Sequence, residues 1–200
     1  AKTLTEIGKN GRDGFFSGWV ADDIIKKLNS LGGFHQKDDF DDAIANYVKP
    51  ISSEFRGYKI WQCPPSGQGV IALLLLNMAS EMNCFGDDPI NLERIHYEIE
   101  AGKLAYRDRS AVLADPKFHS VPVDQLLSKK YAKELFSQIR ADKAISSLPT
   151  STLPKHSNTV YITVIDQNRN ARSLINTVYS SFGSGLLAPK SGVLLHNRGM

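Results

Sequence analysis

Cysteine is scarce in this chain: Cys63 and Cys84 are its only two in 200 residues. They lack a Cys-x-x-Cys spacing and cannot make a disulfide framework, so free, partly buried thiols are expected. The five histidines, His35, His96, His119, His156 and His196, stand apart without a His-x-x-x-His or carboxylate pairing. No metal site and no cofactor are expected. The apolar run Val70 to Leu76 is seven residues long, against roughly 20 needed to cross a bilayer. It reads as a buried helix, with no membrane partner. Basic runs are also missing. Residues 159–200 hold four Lys or Arg against one Asp, the whole formal excess of +3, and residues 1–158 balance. A surplus this diffuse argues against a nucleic-acid partner. No internal repeat is present.

What remains is ordinary for a soluble globular protein, and long enough to bury one sizeable core. Up to about residue 145 the chain reads as mostly helical. Val20, Ile24, Leu28 and Leu31 share one helical face, with Asp22 and Asp23 early and Lys26 and Lys27 late, as the macrodipole favours. Gly32-Gly33 ends that helix. Tyr58 to Gln62 alternates like a short strand, and Gly67-Gln68-Gly69 leads into the apolar helix. Asp88-Pro89 starts a long helix in which Leu92, Ile95, Ile99 and Tyr106 recur at helical spacing. On it, Glu100, Lys103, Asp108 and Arg109 read as a salt-bridged face rather than an acid–base cluster. Leu126, Leu127, Tyr131, Leu135 and Ile139 outline two further short helices.

From residue 146 to 158 the composition turns to Ser, Thr and Pro with little that can pack. Such a segment has no apolar burial to offset its conformational entropy and is expected to be exposed and mobile. It feeds the β-patterned stretch Thr159-Val-Tyr-Ile-Thr-Val-Ile-Asp166, which is followed by Gln167-Asn168-Arg169 and a second run, Asn170 to Thr177. Two short strands with a polar connector make a hairpin. A three-residue loop sets Asp166 against Asn170, and counting outward sets Thr159 opposite Thr177, on the same face. A slip of one residue would undo the pairing.

A threonine at that position suggests chemistry. Its hydroxyl is a weak nucleophile that needs a base, and a terminal α-amine, with a pKa of about 7.7 to 8, is one. Cutting the Asn158–Thr159 bond frees that amine, which takes the proton from its own side chain directly or through a water. The β-branch limits χ1 and holds the hydroxyl in few orientations. The Thr177 hydroxyl then lies within reach to orient the first by a hydrogen bond. The bland account is that both are β-branched residues in strands, where threonine is common.

The Thr159 hairpin, Phe182-Gly183-Ser184-Gly185 and Gly192-Val-Leu-Leu-His-Asn197 together resemble the start of the small subunit of γ-glutamyltransferase-family enzymes. Upstream, Phe15-Phe16-Ser-Gly-Trp-Val-Ala21, Gly32-Gly33, Asp38-Asp39-Phe40, Arg56-Gly57-Tyr58, Pro64-Pro65-Ser-Gly-Gln-Gly69, Glu100 to Arg109 and Asp115-Pro116 follow in the order of that family's large subunit. The resemblance spans nearly the whole chain. It implies an α+β fold, the N-terminal-nucleophile (Ntn) hydrolase four-layer αββα sandwich. Residues 1–145 would supply a mostly helical large-subunit part, 146–158 a processing linker, and 159–200 the first small-subunit strands. It also implies autocatalytic cleavage between Asn158 and Thr159 and a heterodimer of large and small subunits from one precursor. Thr159 and Thr177 would be catalytic, and Tyr179 and Arg198 would bind substrate. The implied substrate is a small amide such as glutathione, with water or an amine as acceptor. An oxyanion hole formed by a glycine pair would lie beyond residue 200, so this chain alone is expected to be inactive. The opening Ala1 to Gly8 has no secretory pattern and reads as the middle of a helical region. An internal piece of a longer chain is therefore expected, and it carries no address separating cytoplasm from periplasm.

Three positions depart from typical γ-glutamyltransferases, which place a second threonine where Val160 stands, an asparagine at Tyr179 and a glutamine at Arg198. Gln68, with Asn197-Arg198-Gly199, looks more like the branch that includes oxamate amidohydrolase-like and cephalosporin acylase-like members. Arg198 suits a carboxylate-bearing substrate, because its planar fork can hold one bidentately. Two alternatives to γ-glutamyl chemistry therefore stand: an Ntn amidohydrolase acting on another small amide, and a non-catalytic relative that is never cleaved.

Overall fold

A computed structural model describes residues 1–83, 88, 90–146 and 158–198, and for Asn158 to Tyr161 it describes the backbone alone. The chain divides into two compact units, one of Ala1–Ala45 with Thr152–Met200 and one of Asn46–Ser151. The segmental expectation for 146–158 falls, except for its end residues, outside the described positions.

The first unit begins with helices α1 (Lys2–Asn10), α2 (Asp13–Phe16), α3 (Gly18–Asn29) and α4 (Lys37–Asp41). On α3 the expected face is largely in place: Val20 and Ile24 are buried, and Leu28 packs beside them. Leu31 lies past the helix and is exposed. Asp23 is not a solvated dipole partner. It is buried on the same helix, and its Oδ2 accepts the backbone N–H of Lys190 at 3.0 Å and of Ser191 at 2.7 Å.

The second unit opens with strands β1 (Ile51–Phe55) and β2 (Tyr58–Gln62), an antiparallel hairpin of which only the second strand is legible in the sequence. The apolar run forms α5 (Gly69–Ala79), with Val70, Ile71, Leu73 and Leu74 buried. A helix apolar around most of its circumference belongs inside. Against it pack residues of α6 (Leu92–Val112), α7 (Val123–Leu126) and α8 (Lys129–Phe136), including Ala101, Leu104, Leu126, Ala132 and Leu135. The two short helices match the spacing of Leu126 to Ile139.

The long helix α6 corrects the sequence reading. It starts at Leu92, with the Asn91 side chain capping it by accepting the Arg94 N–H, rather than at Asp88-Pro89. Leu92, Ile99 and Tyr106 are exposed, and the buried face carries Glu100, Ala101, Leu104, Ala105 and Asp108. The face is salt-bridged, as read, but its two carboxylates are buried. Glu100 pairs with Lys103 at 2.7 Å and accepts the Ile145 N–H at 2.8 Å. Burial pushes its carboxyl up, but the Lys103 ammonium and that N–H outweigh burial and hold it below the usual carboxylate range. Asp108 pairs with Arg107 and accepts the Tyr131 hydroxyl at 2.6 Å. Cys63 is exposed rather than partly buried. Cys84 lies outside the described residues.

The first unit resumes with β3 (Asn158–Ile165) and β4 (Ala171–Tyr179), then β5 (Leu187–Ala188) and β6 (Val193–Leu194). Helices joined to antiparallel hairpins make this an α+β fold.

Candidate active site at the open end of the β3–β4 hairpin

The closed end of this hairpin sets its register. Asp166 N–H donates to the Asn170 carbonyl at 3.0 Å, and Arg169 N–H to the Asp166 carbonyl at 3.0 Å. The Asp166 carboxylate accepts the Asn170 side-chain amide at 2.9 Å and the N–H groups of Asn168 and Asn170 at 2.9 and 2.8 Å. These donors, the Asn170 side chain first, hold the Asp166 carboxyl below its usual range. The loop is thus the three residues counted from the sequence, with Arg169 left-handed at φ 63°.

From that closure the ladder runs without slip from Ile165↔Ala171 to Thr159↔Thr177. Thr159 and Thr177 are cross-strand partners, as the count requires. One step further the count fails: Asn158 pairs with Tyr179, not Val178, because the register shifts between Asn158 and Thr159. An extra residue on β4 is a β-bulge, which bends its strand and re-aims the side chains beside it. Tyr179 absorbs the change at φ 77°, a left-handed backbone that costs a non-glycine residue about 1–3 kcal/mol and persists only where its surroundings enforce it.

Those surroundings come from a near neighbour and from residues distant in sequence. The Thr177 Oγ1 accepts the Tyr179 N–H at 2.9 Å. The chain then turns through Phe182 and Gly183, both left-handed, and the Ser184 N–H donates to the Leu195 carbonyl at 2.9 Å. Gly183 is required here, since a Cβ would collide with that same carbonyl oxygen. The β5–β6 hairpin sits on α3 through Ala188, Val193 and Leu195. Its turn is fixed by Asp23 and by the Thr3 hydroxyl, which donates to the Ser191 carbonyl at 2.6 Å. Burial raises the Asp23 carboxyl, yet the donated N–H groups and the Lys190 charge prevail and lower it overall.

The return strand therefore reaches the end of β4. Asn197 N–H donates to the Val178 carbonyl at 3.2 Å; its Oδ1 accepts the Ser180 N–H at 3.0 Å, and its Nδ2 donates to the Ser180 hydroxyl at 3.1 Å. Next along the chain, the Arg198 guanidinium lies over the Tyr179 ring with its carbon 5.0 Å from the centroid. This is a cation–π contact.

The structure thus gathers Thr177, Tyr179 and Arg198 at the hairpin end whose other strand contributes Asn158 and Thr159. Of the last two, only the backbone register is described. The role of Asn197 went unassigned in the sequence. Its pairing with Ser180 spans 17 positions, and its only signal was its place in the Gly192 to Asn197 motif.

Comparison with known proteins places this α+β chain, with a threonine at the open end of its β3–β4 hairpin, in a family. A sequence model described as gamma-glutamyltranspeptidase matches residues 1–200. The chain belongs to the gamma-glutamyltranspeptidase family. It is 37% identical over 199 residues to the glutathione hydrolase-like YwrD proenzyme of Bacillus subtilis, covering 100% of this chain and 37% of that protein. It is 36% identical over 205 residues to the glutathione hydrolase proenzyme of Escherichia coli, covering 99% and 35%. Among solved structures, the cephalosporin acylase of Bacillus halodurans superimposes with a TM-score of 0.85 at 35% identity, over 100% of this chain and 35% of that one. The chain therefore spans little more than a third of these relatives. The α+β fold is that of Ntn hydrolases.

Proposed function

We propose that this protein is a threonine-dependent, self-processing γ-glutamyltransferase-like enzyme. It transfers or hydrolyses the γ-glutamyl group of glutathione and related amides. The observation that carries this reading is the Thr159↔Thr177 pairing beside a bulge, with Tyr179 and Arg198 gathered at the same hairpin end. The relatives' standing as proenzymes supports the processing step.

Maturation begins when the Thr159 hydroxyl adds to the Asn158 carbonyl carbon. The Asn158–Thr159 C–N bond breaks, leaving an ester and a free α-amine, and water hydrolyses the ester to an Asn158 carboxylate. A large and a small subunit result. In turnover, the Thr159 amine takes the Oγ proton as Oγ attacks the substrate amide carbon. That proton passes to the departing amine as the C–N bond breaks. Water or an acceptor amine then attacks the acyl ester, returns a proton to the Thr159 oxygen and releases the acid or the new amide. Thr177 orients the nucleophile. Tyr179 and Arg198 hold the acyl group.

N-terminal sequencing of the purified full-length protein tests the first half. A fragment beginning at Thr159, absent after Thr159→Ala, is expected, and an intact chain that retains turnover would refute it. A second reading keeps the mechanism with a different small amide, and the Arg198–Tyr179 stack favours it. A panel of γ-glutamyl anilides, oxamate and acylated amines separates the two. Arg198→Gln with Tyr179→Asn is expected to change γ-glutamyl turnover; no change counts against the assigned roles of both residues.

A further inference from the structure

Helix α6 carries a line of polar side chains that the proposed chemistry leaves unused. His96, Glu100 and Lys103 follow one another at spacings of four and three and therefore share one face of the helix. All three hold the segment from Arg140 to Ile145. His96 Nε2 donates to the Arg140 carbonyl at 2.7 Å. Glu100, only 2% exposed, uses both carboxylate oxygens: Oε1 takes the Lys103 ammonium at 2.7 Å, and Oε2 the Ile145 N–H at 2.8 Å. The Lys103 ammonium also donates to the Ile145 carbonyl at 3.2 Å. Because the Ile145 side chain packs on the core of the second unit, that residue is held by its N–H, its carbonyl and its side chain at once. The grip closes on one point of the chain.

Stability alone is a poor account of that grip. A buried ion pair adds little net stability over apolar residues of equal volume, and its best-attested use is to specify one arrangement. This pair binds backbone groups, so what it specifies is where the chain lies. Ile145 stands 13 positions before Asn158, whose carbonyl is attacked in the proposed self-cleavage. Beyond that bond, the Thr159↔Thr177 rung sets the register. We propose that His96, Glu100 and Lys103 are positioning residues for maturation, pinning the upstream end of the processing segment as the β3–β4 ladder pins the downstream end. This rests on the self-processing reading and adds to it residues that act before turnover and not during it. With the pin released, the nearest upstream residue buried in the core is Ile139, and the span before Thr159 grows from 13 residues (146–158) to 19 (140–158). Loop-closure entropy alone then slows the reaction about twofold. Lost orientation of the scissile peptide adds to this.

The test follows the fragment beginning at Thr159 against time after cell-free synthesis of the full-length protein, and then measures kcat and KM of the processed fraction. Glu100→Ala is expected to lengthen the processing half-time by about threefold or more, and Lys103→Met by about twofold. Glu100→Gln, whose amide oxygen still accepts the Ile145 N–H, should recover part of the rate. In all three the processed fraction is expected to keep the kcat and KM of the unaltered protein. Asn77→Ala supplies the control, since Asn77 bonds Ser53 and Leu127 in the same unit and does not hold Ile145. It should process at the normal rate despite its lower stability. An equal delay in Asn77→Ala overturns the proposal, because processing would then follow stability. Normal half-times in Glu100→Ala and Lys103→Met overturn it too, as does a fall in kcat of the processed variants that matches the delay. Should Glu100→Ala fail to fold, Lys103→Met decides the matter, since its side chain is one-third exposed. An unaltered full-length protein that never yields the fragment refutes the self-processing reading and this proposal together, whereas a fragment formed at the same speed in every variant refutes the proposal alone.

Discussion

Two hairpins in this molecule are each held by an asparagine side chain, and the placement of the clip separates a hairpin locked to its core from the one proposed to carry the nucleophile. In β1–β2 the clip is central and buried: the Ser53 hydroxyl donates to Asn77 Oδ1, and Asn77 Nδ2 donates to the Leu127 carbonyl at 3.0 Å. The register Ile51↔Gln62 to Phe55↔Tyr58 is regular throughout. In β3–β4 the clip is terminal, with Asn197 gripping Ser180 just past a bulge and a left-handed tyrosine. An interior clip locks a hairpin to its core, and a terminal one shapes the end where side chains converge. The proposed site falls where regular pairing is interrupted and then externally fixed.

The comparison can be broken by mutation. Thr177→Val removes the hydroxyl that accepts the Tyr179 N–H and is proposed to orient the nucleophile. It should reduce turnover by about a hundredfold or more, with melting temperature nearly unchanged, as steady-state kinetics and thermal unfolding on one preparation would show. Asn77→Ala leaves the Ser53 hydroxyl and the Leu127 carbonyl without this partner and should cost about 2 kcal/mol of stability. Denaturant titration would show the loss, while activity per folded molecule stays near that of the unaltered protein. Equal effects of the two variants on both measurements would erase the distinction. Asn197→Ala sharpens it: a loss of about tenfold in kcat/KM is expected from a loosened Tyr179–Arg198 end, partly restored in Asn197→Asp, whose carboxylate still accepts the Ser180 N–H.

Acid should act on the docking of β5–β6. Asp23 titrates lower when folded than when unfolded, so its contribution is present above the ordinary carboxylate pKa, near 4. It is lost as pH falls through the lower folded value. Asp23→Asn should therefore flatten the fall of melting temperature below about pH 4. Glu100, lowered in the same direction, keeps its own share of that slope. The smallest effect is expected at the hairpin loop. Arg169→Gly relieves a left-handed φ of 63° and should change stability by no more than about 1 kcal/mol.

Much of the hairpin was legible because a period of two and a three-residue polar loop leave one register that pairs both apolar runs. The bulge was not. It depends on Tyr179 adopting a conformation that the tyrosine itself disfavours, enforced by Asn197 and by the turn through Gly183. On α6, apolar periodicity pointed to Leu92, Ile99 and Tyr106, whereas the inward face holds Glu100 and Asp108. Pattern reading misses buried carboxylates, because the partners that make their burial tolerable, Lys103 with Ile145 N–H and Arg107 with Tyr131, are known only once the chain is folded. Asp23 was read as a dipole partner rather than a buried one for the same reason, its two donors lying more than 160 positions away.

The irregularity opposite the Asn158–Thr159 peptide has a mechanical consequence. Because the regular rungs begin at Thr159↔Thr177 and continue to Ile165↔Ala171, severing the chain just before Thr159 would remove no rung from that run. The new terminus would stay tethered by hydrogen bonds that existed before the cut. A hairpin built this way can give up its covalent lead-in and keep its first residue in register.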